Sequence, residues 1–590
     1  MHFCRVAAIV AGVAALAACG ATHATQGPLS DAAGAASADA DATSPPVSSP
    51  DAETPAPDGP GGAPDVPSDA QSDAQSDAQS DAGPALDAQG PMPDAQTRDA
   101  AHPGGDAAGT IGPACSAGDP FLAAKGTQIR DGRGAGDPIA LRGANLGSWL
   151  LLEPWMAPVA NAVDDNTMRT ILSSRFGDTM KDSLIAAYEG AWLESGDFDN
   201  MAALGMNVVR LPFWYLNLEN PDGSARPDAF AKLDWAVGEA WKRCIYTVLD
   251  LHGAPGSQNG NLGSGVQGPS NLWTSSADKA HTAAIWQKVA GHFAGNPAVA
   301  GYDLLNEPFG APTEQDRWDI QDSLYKAVRG VDPDHIVFIE ATWQLGNLPA
   351  PSMYGWTNVV YECHSYDWGT PMGADEGNAQ KQMATADAEV QDVTSHASYN
   401  VPVFLGEFNV FGNPGAWKYT VEQWSKKGMS WATWSWRATA GGDITNAWGV
   451  YNPLTAPPVP SMTGDSAATI LADWSKWNLT AFGLNPMLKP AMAMPVVAND
   501  QYTATAGTAL TVAAPGLLGN DKDLNSGTSG IALVASKVSD PAHGTLNLNA
   551  DGSFGYTPSA GFRGTDTFRY SVFDGRIDSV RPGVVTIAVN

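Results

Sequence analysis

The sequence predicts an α/β chain: a (β/α)8 TIM barrel, followed by a small all-β sandwich and preceded by a disordered tether. Three observations predict it. All 20 Trp of the 590 residues lie between Trp149 and Trp477, so one central region holds the aromatic core. Within that region, eight short apolar runs alternate with helical patterns. After Asn485-Pro486, the pattern turns into short strands separated by turn signals. The boundaries read as 1–18 for an export signal, 19–114 for the tether, 115–487 for the barrel and 488–590 for the sandwich.

At the N-terminus, Arg5 precedes an apolar run from Val6 to Ala15, of export-signal length and too short to span a bilayer. The run ends Leu16-Ala17-Ala18-Cys19. That spacing resembles the bacterial lipobox, which implies cleavage before Cys19, its lipidation, and anchoring in the bacterial cell envelope by several acyl chains. The expected location is the outer membrane or cell surface, with release outside the cell as the variant.

Residues 20–114 hold fifteen Asp or Glu against Arg98 alone, and no aromatic residue. Ser68 to Ala82 repeats Ser-Asp-Ala-Gln in register. Such a stretch cannot bury enough apolar surface to offset its conformational entropy. Like charges extend it, so it reads as a spacer from the membrane. The whole chain carries −31 at a pI near 4.4, which argues against a nucleic-acid partner, because phosphate binding needs a basic face.

The barrel strands are expected at 140–146, 207–212, 246–251, 299–306, 335–340, 358–364, 401–407 and 430–436. Helical patterns between them include 228–242, 278–292 and 314–328. A doubly wound sheet is the rival fold. No Gly-x-Gly-x-x-Gly or Walker loop follows any strand, so that rival falls and no cofactor is expected. Cys115, Cys244 and Cys363 remain after the signal and Cys19, which allows at most one disulfide of open pairing. No Cys or His spacing suggests a metal in the barrel.

Strand after strand stays apolar until its C-terminal end and then places a polar or aromatic group. These are Arg210, His252, Asn306-Glu307, His364 with Tyr366, Glu407, and Trp434 with Trp436. Barrels build their sites on this rim. Glu307 and Glu407 end strands four and seven. Two carboxylates about 5–5.5 Å apart suit a retaining glycosidase: one protonates the leaving oxygen and the other attacks the sugar carbon. Arg210 and His364 would hold one carboxylate ionised, while the other needs a raised pKa. Asn306 can bond the sugar 2-hydroxyl. Trp436 offers a flat face for a pyranose ring, and Tyr366 a hydroxyl beside the nucleophile. Trp214, Trp343 and Trp368 could floor outer sugar subsites. Glu340 and Glu362 read as binding or structural carboxylates, and Asp250 as a buried acceptor.

Leu305-Asn306-Glu307-Pro308 and Leu405-Gly406-Glu407-Phe408 resemble glycoside hydrolase family 5. The resemblance implies Glu307 as acid/base and Glu407 as nucleophile, with Arg210, His252, Asn306, His364, Tyr366 and Trp436 in the remaining site positions. Arg142-Gly143-Ala144-Asn145-Leu146-Gly147-Ser148-Trp149, Leu152-Glu153-Pro154-Trp155 and the run from Leu251 to Gly260 look like the exo-β-1,3-glucanases of that family. In that group the carboxylate matching Glu153 closes the non-reducing end of the pocket. Cys363, Ser365 and the run Phe408 to Gly412 depart from the subgroup. The expected substrate is therefore a β-glucan polysaccharide or oligosaccharide, by β-1,3 linkage and exo action. The alternatives are β-1,4- or β-1,6-glucan, a glucosyl lipid, or a non-catalytic glycan-binding surface protein.

Sandwich strands are expected at 501–505, 509–512, 544–548, 553–557, 566–572 and 583–589. Ala498-Asn499-Asp500, His543-Gly544-Thr545-Leu546, Asp551-Gly552-Ser553-Phe554 and Gly564-Thr565-Asp566-Thr567-Phe568 resemble bacterial cadherin-like repeats. Some such repeats bind calcium at positions matching Asp521, Asp523 and Asp574. Here Asn525 and Ser526 stand where acidic ligands are common, so only weak calcium binding is expected. With a core of its own, the sandwich is expected to be dispensable for hydrolysis.

Overall fold

The structure is a computed structural model that describes residue 115 and residues 119–369, 376–440, 442–525 and 532–590. The export signal, Cys19, the tether and Ser526 lie outside the described residues. Among the described residues no helix is long and apolar enough to cross a membrane.

Eight parallel strands close into a barrel: β1 (Arg142–Asn145), β2 (Val208–Trp214), β3 (Tyr246–Gly253), β4 (Val299–Asp303), β5 (Ile336–Glu340), β6 (Val359–Tyr366), β7 (Val403–Asn409) and β8 (Ser430–Thr433). They pair in chain order, and β8 closes on β1. All eight fall within a few residues of the expected runs. Helices such as Ser276–Phe293, Glu314–Arg329 and Pro414–Lys427 pack outside. Their starts are capped by Ser275, Thr313 and Asn413, whose side chains accept the backbone N–H three residues on. The last one stops at Gly428, with φ of 78°, as a left-handed C-cap requires.

Because side chains alternate along a strand, every second residue faces the barrel interior. The lower interior layer is apolar: Val208, Val248, Ala300, Phe338, Val360, Phe404 and Ala432 form one cluster. A hairpin of Ala123–Lys125 and Gln128–Arg130 runs before β1. Its Ile129, with Leu122 and Ile139, joins that cluster and seals the barrel floor. The Cys115–Cys244 disulfide ties the start of this segment to the turn before β3, and Cys363 is a buried free thiol.

The C-terminal region is a sandwich of two sheets. One runs β9 (Asp500–Ala504), β15 (Gly583–Val589), β14 (Gly564–Phe573) and β11 (Val534–Ser539). The other runs β10 (Leu510–Val512), β13 (Phe554–Pro558) and β12 (Gly544–Leu548). Strand β11 is one that the sequence pattern did not reveal. It pairs only with β14 in its sheet, and its exposed Ser536, Lys537 and Val538 mask the alternation. The sandwich has its own core around Phe554, Tyr556, Phe568 and Tyr570.

It is also built into the barrel. Ile577 is buried in the main barrel cluster. Arg576 donates to Ala491 O and Ala493 O, Arg581 donates to Cys115 O at 2.6 Å, and Arg142 at the start of β1 donates to Asp578 O at 2.7 Å. This corrects the expectation of an independent appendage: removing the sandwich uncovers barrel core and leaves the buried Arg142 short of a partner. The expected calcium positions are also engaged within the chain. Asp574 accepts from the Arg576 guanidinium at 2.8 Å and from two backbone N–H groups, and Asp521 accepts from Ala498 N.

Candidate active site

Two residues above the apolar layer, the same strands turn polar. Arg210 follows Val208, Asp250 follows Val248, Glu340 follows Phe338, and Glu362 follows Val360. Arg210 is fully buried and serves the whole layer. Its Nε donates to Asp303 Oδ2 at 2.8 Å, Nη2 to Asn306 Oδ1 at 2.8 Å, and Nη1 to Asn145 Oδ1 at 3.1 Å and Glu407 Oε1 at 2.8 Å. Asp250 and Glu362 lie 3.1 and 3.2 Å from the same guanidinium. One cation cannot balance all these carboxyls in a dry interior. Burial accordingly pushes Asp250 up to about 7, and Glu340 and Glu362 well above the usual carboxylate range.

The expected catalytic pair comes together here, in unlike surroundings. Glu407 is gripped on both oxygens, by Arg210 at Oε1 and by the Tyr366 hydroxyl at Oε2, 2.9 Å away. A bulge lets it face inward: Cys363 pairs with Leu405, but His364 pairs with Glu407, so Gly406 is the extra residue. Only glycine fits there, since a Cβ would lie 1.4 Å from Glu362 Oε1. Glu307 makes no contact with a cation. Its Oε1 lies 3.1 Å from His364 Nδ1, and burial raises its pKa against the weaker pull of His252 and Arg210. Its backbone is strained at φ +44° and is held by its N–H donating to Glu340 Oε2 at 2.7 Å.

His364 departs from its expected role. Burial lowers it to about 4, so at neutral pH it acts as a neutral hydrogen-bonding group rather than as a charge. His252 is lowered to about 4 for the same reason. It sits 2.7 Å from Asp250 and stacks on Trp434, with centroids 5.3 Å apart and planes 6° from parallel. Asn306 is fixed by Arg210, which leaves its amide nitrogen as the donor. Glu153, after β1, is buried and accepts from Trp155 Nε1 at 2.7 Å. Burial pushes it up to about 8, the Trp155 bond opposes this, and the charges of Glu407 and Glu307 add to it.

Trp436 is not at the site. It is 1 % exposed, its Nε1 donates to Asp197 Oδ1 at 2.9 Å, and its ring packs on Tyr451. Its place at the end of the eighth run and the family resemblance put it on the rim with Trp434, but the strand ends at Thr433 and the regular alternation does not extend to Trp436. Trp434, against His252, offers the ring at the site instead. Of the other rim aromatics, Trp214 is buried, whereas Trp343 and Trp368 are exposed. Trp368 belongs to an aromatic wall with Tyr366, Phe411, Trp448 and Trp155. Sequence reasoning missed Asn145 and Asp303. A lone Asp in the apolar run Val299–Asp303 was the available signal.

Glu307, His364 and Glu407 place potential metal-ligating atoms within 4.8 Å of one another, as no other group does among the described residues. Arg210 already sets a cation against Glu407, and Glu307 has only the neutral His364 beside it, so the trio is suited to moving a proton. Residues 179–440 match the cellulase family, glycosyl hydrolase family 5.

Residues 493–590 match the bacterial cadherin-like domain. The chain is 32 % identical over 236 residues to "Probable glucan 1,3-beta-glucosidase A" of Neosartorya fischeri, covering 38 % of this chain and 56 % of that protein. It is 29 % identical over 258 residues to "Beta-xylosidase" of Phanerodontia chrysosporium, covering 42 % and 52 %. It is 31 % identical over 247 residues to "Glucan 1,3-beta-glucosidase" of Candida oleophila, covering 38 % and 58 %. The chain thus spans about half the length of the curated relatives it matches.

Proposed function

We propose that the barrel is a retaining glycoside hydrolase of β-glucans, acting on β-1,3 linkages from the non-reducing end, with Glu407 as nucleophile and Glu307 as acid/base. The observation that carries this reading is the asymmetry of the two carboxyls. Glu407 is held on both oxygens, by the Arg210 guanidinium and the Tyr366 hydroxyl, which fixes it in place as an attacking group. Glu307 is desolvated without a cation contact, which favours its protonated form. Glu407 attacks the anomeric carbon while Glu307 gives its proton to the departing oxygen. Water then loses a proton to Glu307 and attacks the same carbon, releasing Glu407 and a sugar of unchanged anomeric configuration. Asn306 donates toward the 2-hydroxyl, and Trp434 provides the stacking face. The relatives named glucan 1,3-beta-glucosidase support the linkage. Glu153, within electrostatic reach of the pair, supports closure of one end of the pocket. The complete set of Arg210, Asn306, Glu307, His364 and Glu407 argues against a non-catalytic glycan-binding protein.

Product analysis on laminarin, carboxymethylcellulose and pustulan tests this. Glucose alone, from laminarin and in the β form at first release, is expected. A ladder of oligomers would replace exo by endo action, and an α product would reject the retaining mechanism.

We further propose that Cys19 is lipidated and that the tether holds the barrel away from a bacterial envelope membrane. Cys19→Ser should move the protein from the membrane fraction to the soluble one; an unchanged membrane fraction would remove this reading. For the sandwich we propose a bracing role. A calcium site loses support, since Asp574 already has the Arg576 guanidinium as its cation.

A further inference from the structure

Glu340 reaches the acid/base Glu307 by two routes. The first runs through the backbone: Glu307 N donates to Glu340 Oε2 at 2.7 Å. The second runs through the His364 ring. Its Nδ1 lies 3.1 Å from Glu307 Oε1, and its Nε2 lies 3.8 Å from Glu340 Oε1. Those last two atoms, His364 Nε2 and Glu340 Oε1, are buried and have no hydrogen-bond partner among the described residues. The gap between them is too narrow for a water, since two hydrogen bonds of about 2.8 Å through one oxygen span about 4.5 Å.

The frame around the gap is fixed. Glu340 N donates to Gln321 Oε1 at 2.8 Å, and Gln321 Nε2 donates back to Glu340 O at 3.0 Å. His364 N donates to Thr342 O at 2.7 Å. Glu362 Oε1 also lies 3.7 Å from His364 Nε2, but it stands 3.2 Å from the Arg210 Nε, so that oxygen serves as an acceptor and not as a donor. Glu340 Oε2 takes the Glu307 N–H, which leaves Oε1 as the oxygen free to carry a proton.

The chemistry decides which ring nitrogen bears hydrogen. A neutral imidazole has one N–H and one bare nitrogen. Nδ1 faces two glutamates, Glu307 Oε1 at 3.1 Å and Glu407 Oε2 at 3.6 Å. Between the two halves of the reaction Glu307 is a carboxylate, and a bare Nδ1 would then set lone pair against lone pair. The N–H therefore belongs on Nδ1, and Nε2 is an acceptor. The atom facing Nε2 must be a donor, and a carboxyl donates only when protonated. Burial raises Glu340 well above the usual carboxylate range. The charge of Asp303 adds to this, Arg210 opposes it, Glu307 adds again, and the Glu307 N–H opposes.

We propose that Glu340 is a positioning residue that works as a carboxylic acid: its Oε1–H donates to His364 Nε2 and so holds the ring as an Nδ1–H donor to Glu307. This rests on the glycosidase reading above. The ring N–H then occupies Glu307 Oε1, and Oε2 is the oxygen that gives and takes the catalytic proton.

Two variants separate the donated hydrogen from the shape of the side chain. In Glu340→Gln the amide oxygen can accept the Glu307 N–H, and the amide nitrogen replaces Oε1 as a donor. Glu340→Met keeps the length and donates nothing. In the full chain with 15N-labelled histidine, the two tautomers give distinct ring-nitrogen shifts. His364 is the signal among the 10 His that vanishes in His364→Asn. Wild type and Glu340→Gln should show the Nδ1–H form at neutral pH, and Glu340→Met should lose it. On the best of laminarin, carboxymethylcellulose and pustulan, Glu340→Met should lower kcat/KM by about 10–10²-fold, and Glu340→Gln should restore most of that. Melting temperatures show which variants stay folded. An Nε2–H form in the wild type would overturn the proposal and leave the glycosidase reading standing, and that measurement needs no variant to fold. An unchanged tautomer in folded Glu340→Met would overturn it as well. A wild type that hydrolyses none of the three glucans would overturn the glycosidase reading, and the positioning role with it.

Discussion

The lower and upper layers of the barrel interior come from the same strands, two residues apart, and they do opposite things. Val208, Val248, Phe338 and Val360 pack with the hairpin residues Leu122 and Ile129 into a dry floor. Arg210, Asp250, Glu340 and Glu362, the next inward-facing residues, are as completely buried, yet each carries a charge or a proton that must be accounted for. Burying apolar surface contributes roughly 25 cal/mol per Å². Burying a network of one guanidinium and several carboxyls contributes little net stability and costs several kcal/mol per unpaired ion. One layer holds the barrel closed, and the other carries the hydrogen bonds that position Glu307 and Glu407. Substitutions in the two layers should therefore fail in different ways.

The largest separation is expected at the catalytic pair. Glu407→Gly deletes the attacking oxygen and should lower kcat by more than about 10⁴-fold. Added azide should fill the vacated space and yield the α-glycosyl azide. Glu307→Ala should cost about 10²–10⁴-fold, most for poor leaving groups, and azide should then yield the β-azide. Azides of the reverse configurations would swap the two roles.

In the lower layer, the expected loss is of stability. Phe338 is fully enclosed and meets Phe404 edge-on at 5.4 Å. Phe338→Ala should cost about 3–5 kcal/mol of unfolding free energy, measured by denaturant titration. The kcat of the protein that stays folded should hold. A large fall in kcat at unchanged stability would erase the distinction between the layers.

How much of this was legible follows from the same alternation. The eight strands and their polar ends could be read because each run is apolar until the rim, and Glu307, Glu407, Arg210, His252, Asn306, His364, Tyr366 and Glu153 all lie around one centre. Parity fails wherever the strand stops being regular. Trp436 lies beyond the end of β8, where the alternation no longer holds, and a bulge was needed to turn Glu407 inward. Asp303 was signalled only by being a lone Asp in an apolar run, which does not name its partner, Arg210 two strands away. Ile577 and Arg576 escaped because contacts between distant segments leave no local pattern.

The bulge gives an intermediate effect. Gly406→Ala places a methyl where Glu362 Oε1 now sits. Either the strand or Glu362 must move, and Glu407 moves with the strand. A displacement of about 1 Å at a reacting group costs on the order of 10²-fold, so kcat should fall by that amount. Gly406→Ala combined with Glu362→Ala should recover part of it, since the second change vacates the space. No recovery in the double variant would show that Glu362 matters for its charge or proton rather than its volume.

The smallest effect is a pH dependence at the edge of the upper layer. Glu153 is raised to about 8, chiefly by burial. A carboxyl raised on folding contributes stability that is complete below its unfolded value of about 4.5 and is lost as pH rises through about 8. Gln has nearly the same shape, can still accept from Trp155 Nε1, and does not ionise. The melting temperature of Glu153→Gln should therefore match wild type near pH 5 and fall less steeply toward pH 9. Asp250, raised to about 7, weakens both proteins alike over that range. His252 and His364, lowered to about 4, act at the other end: their contribution is complete above about 6.5 and is lost as pH falls through 4, so they add nothing to the alkaline slope. Equal alkaline slopes in the two proteins would mean that water reaches Glu153 and ionises it cheaply. The pocket end that Glu153 is proposed to close would then be open.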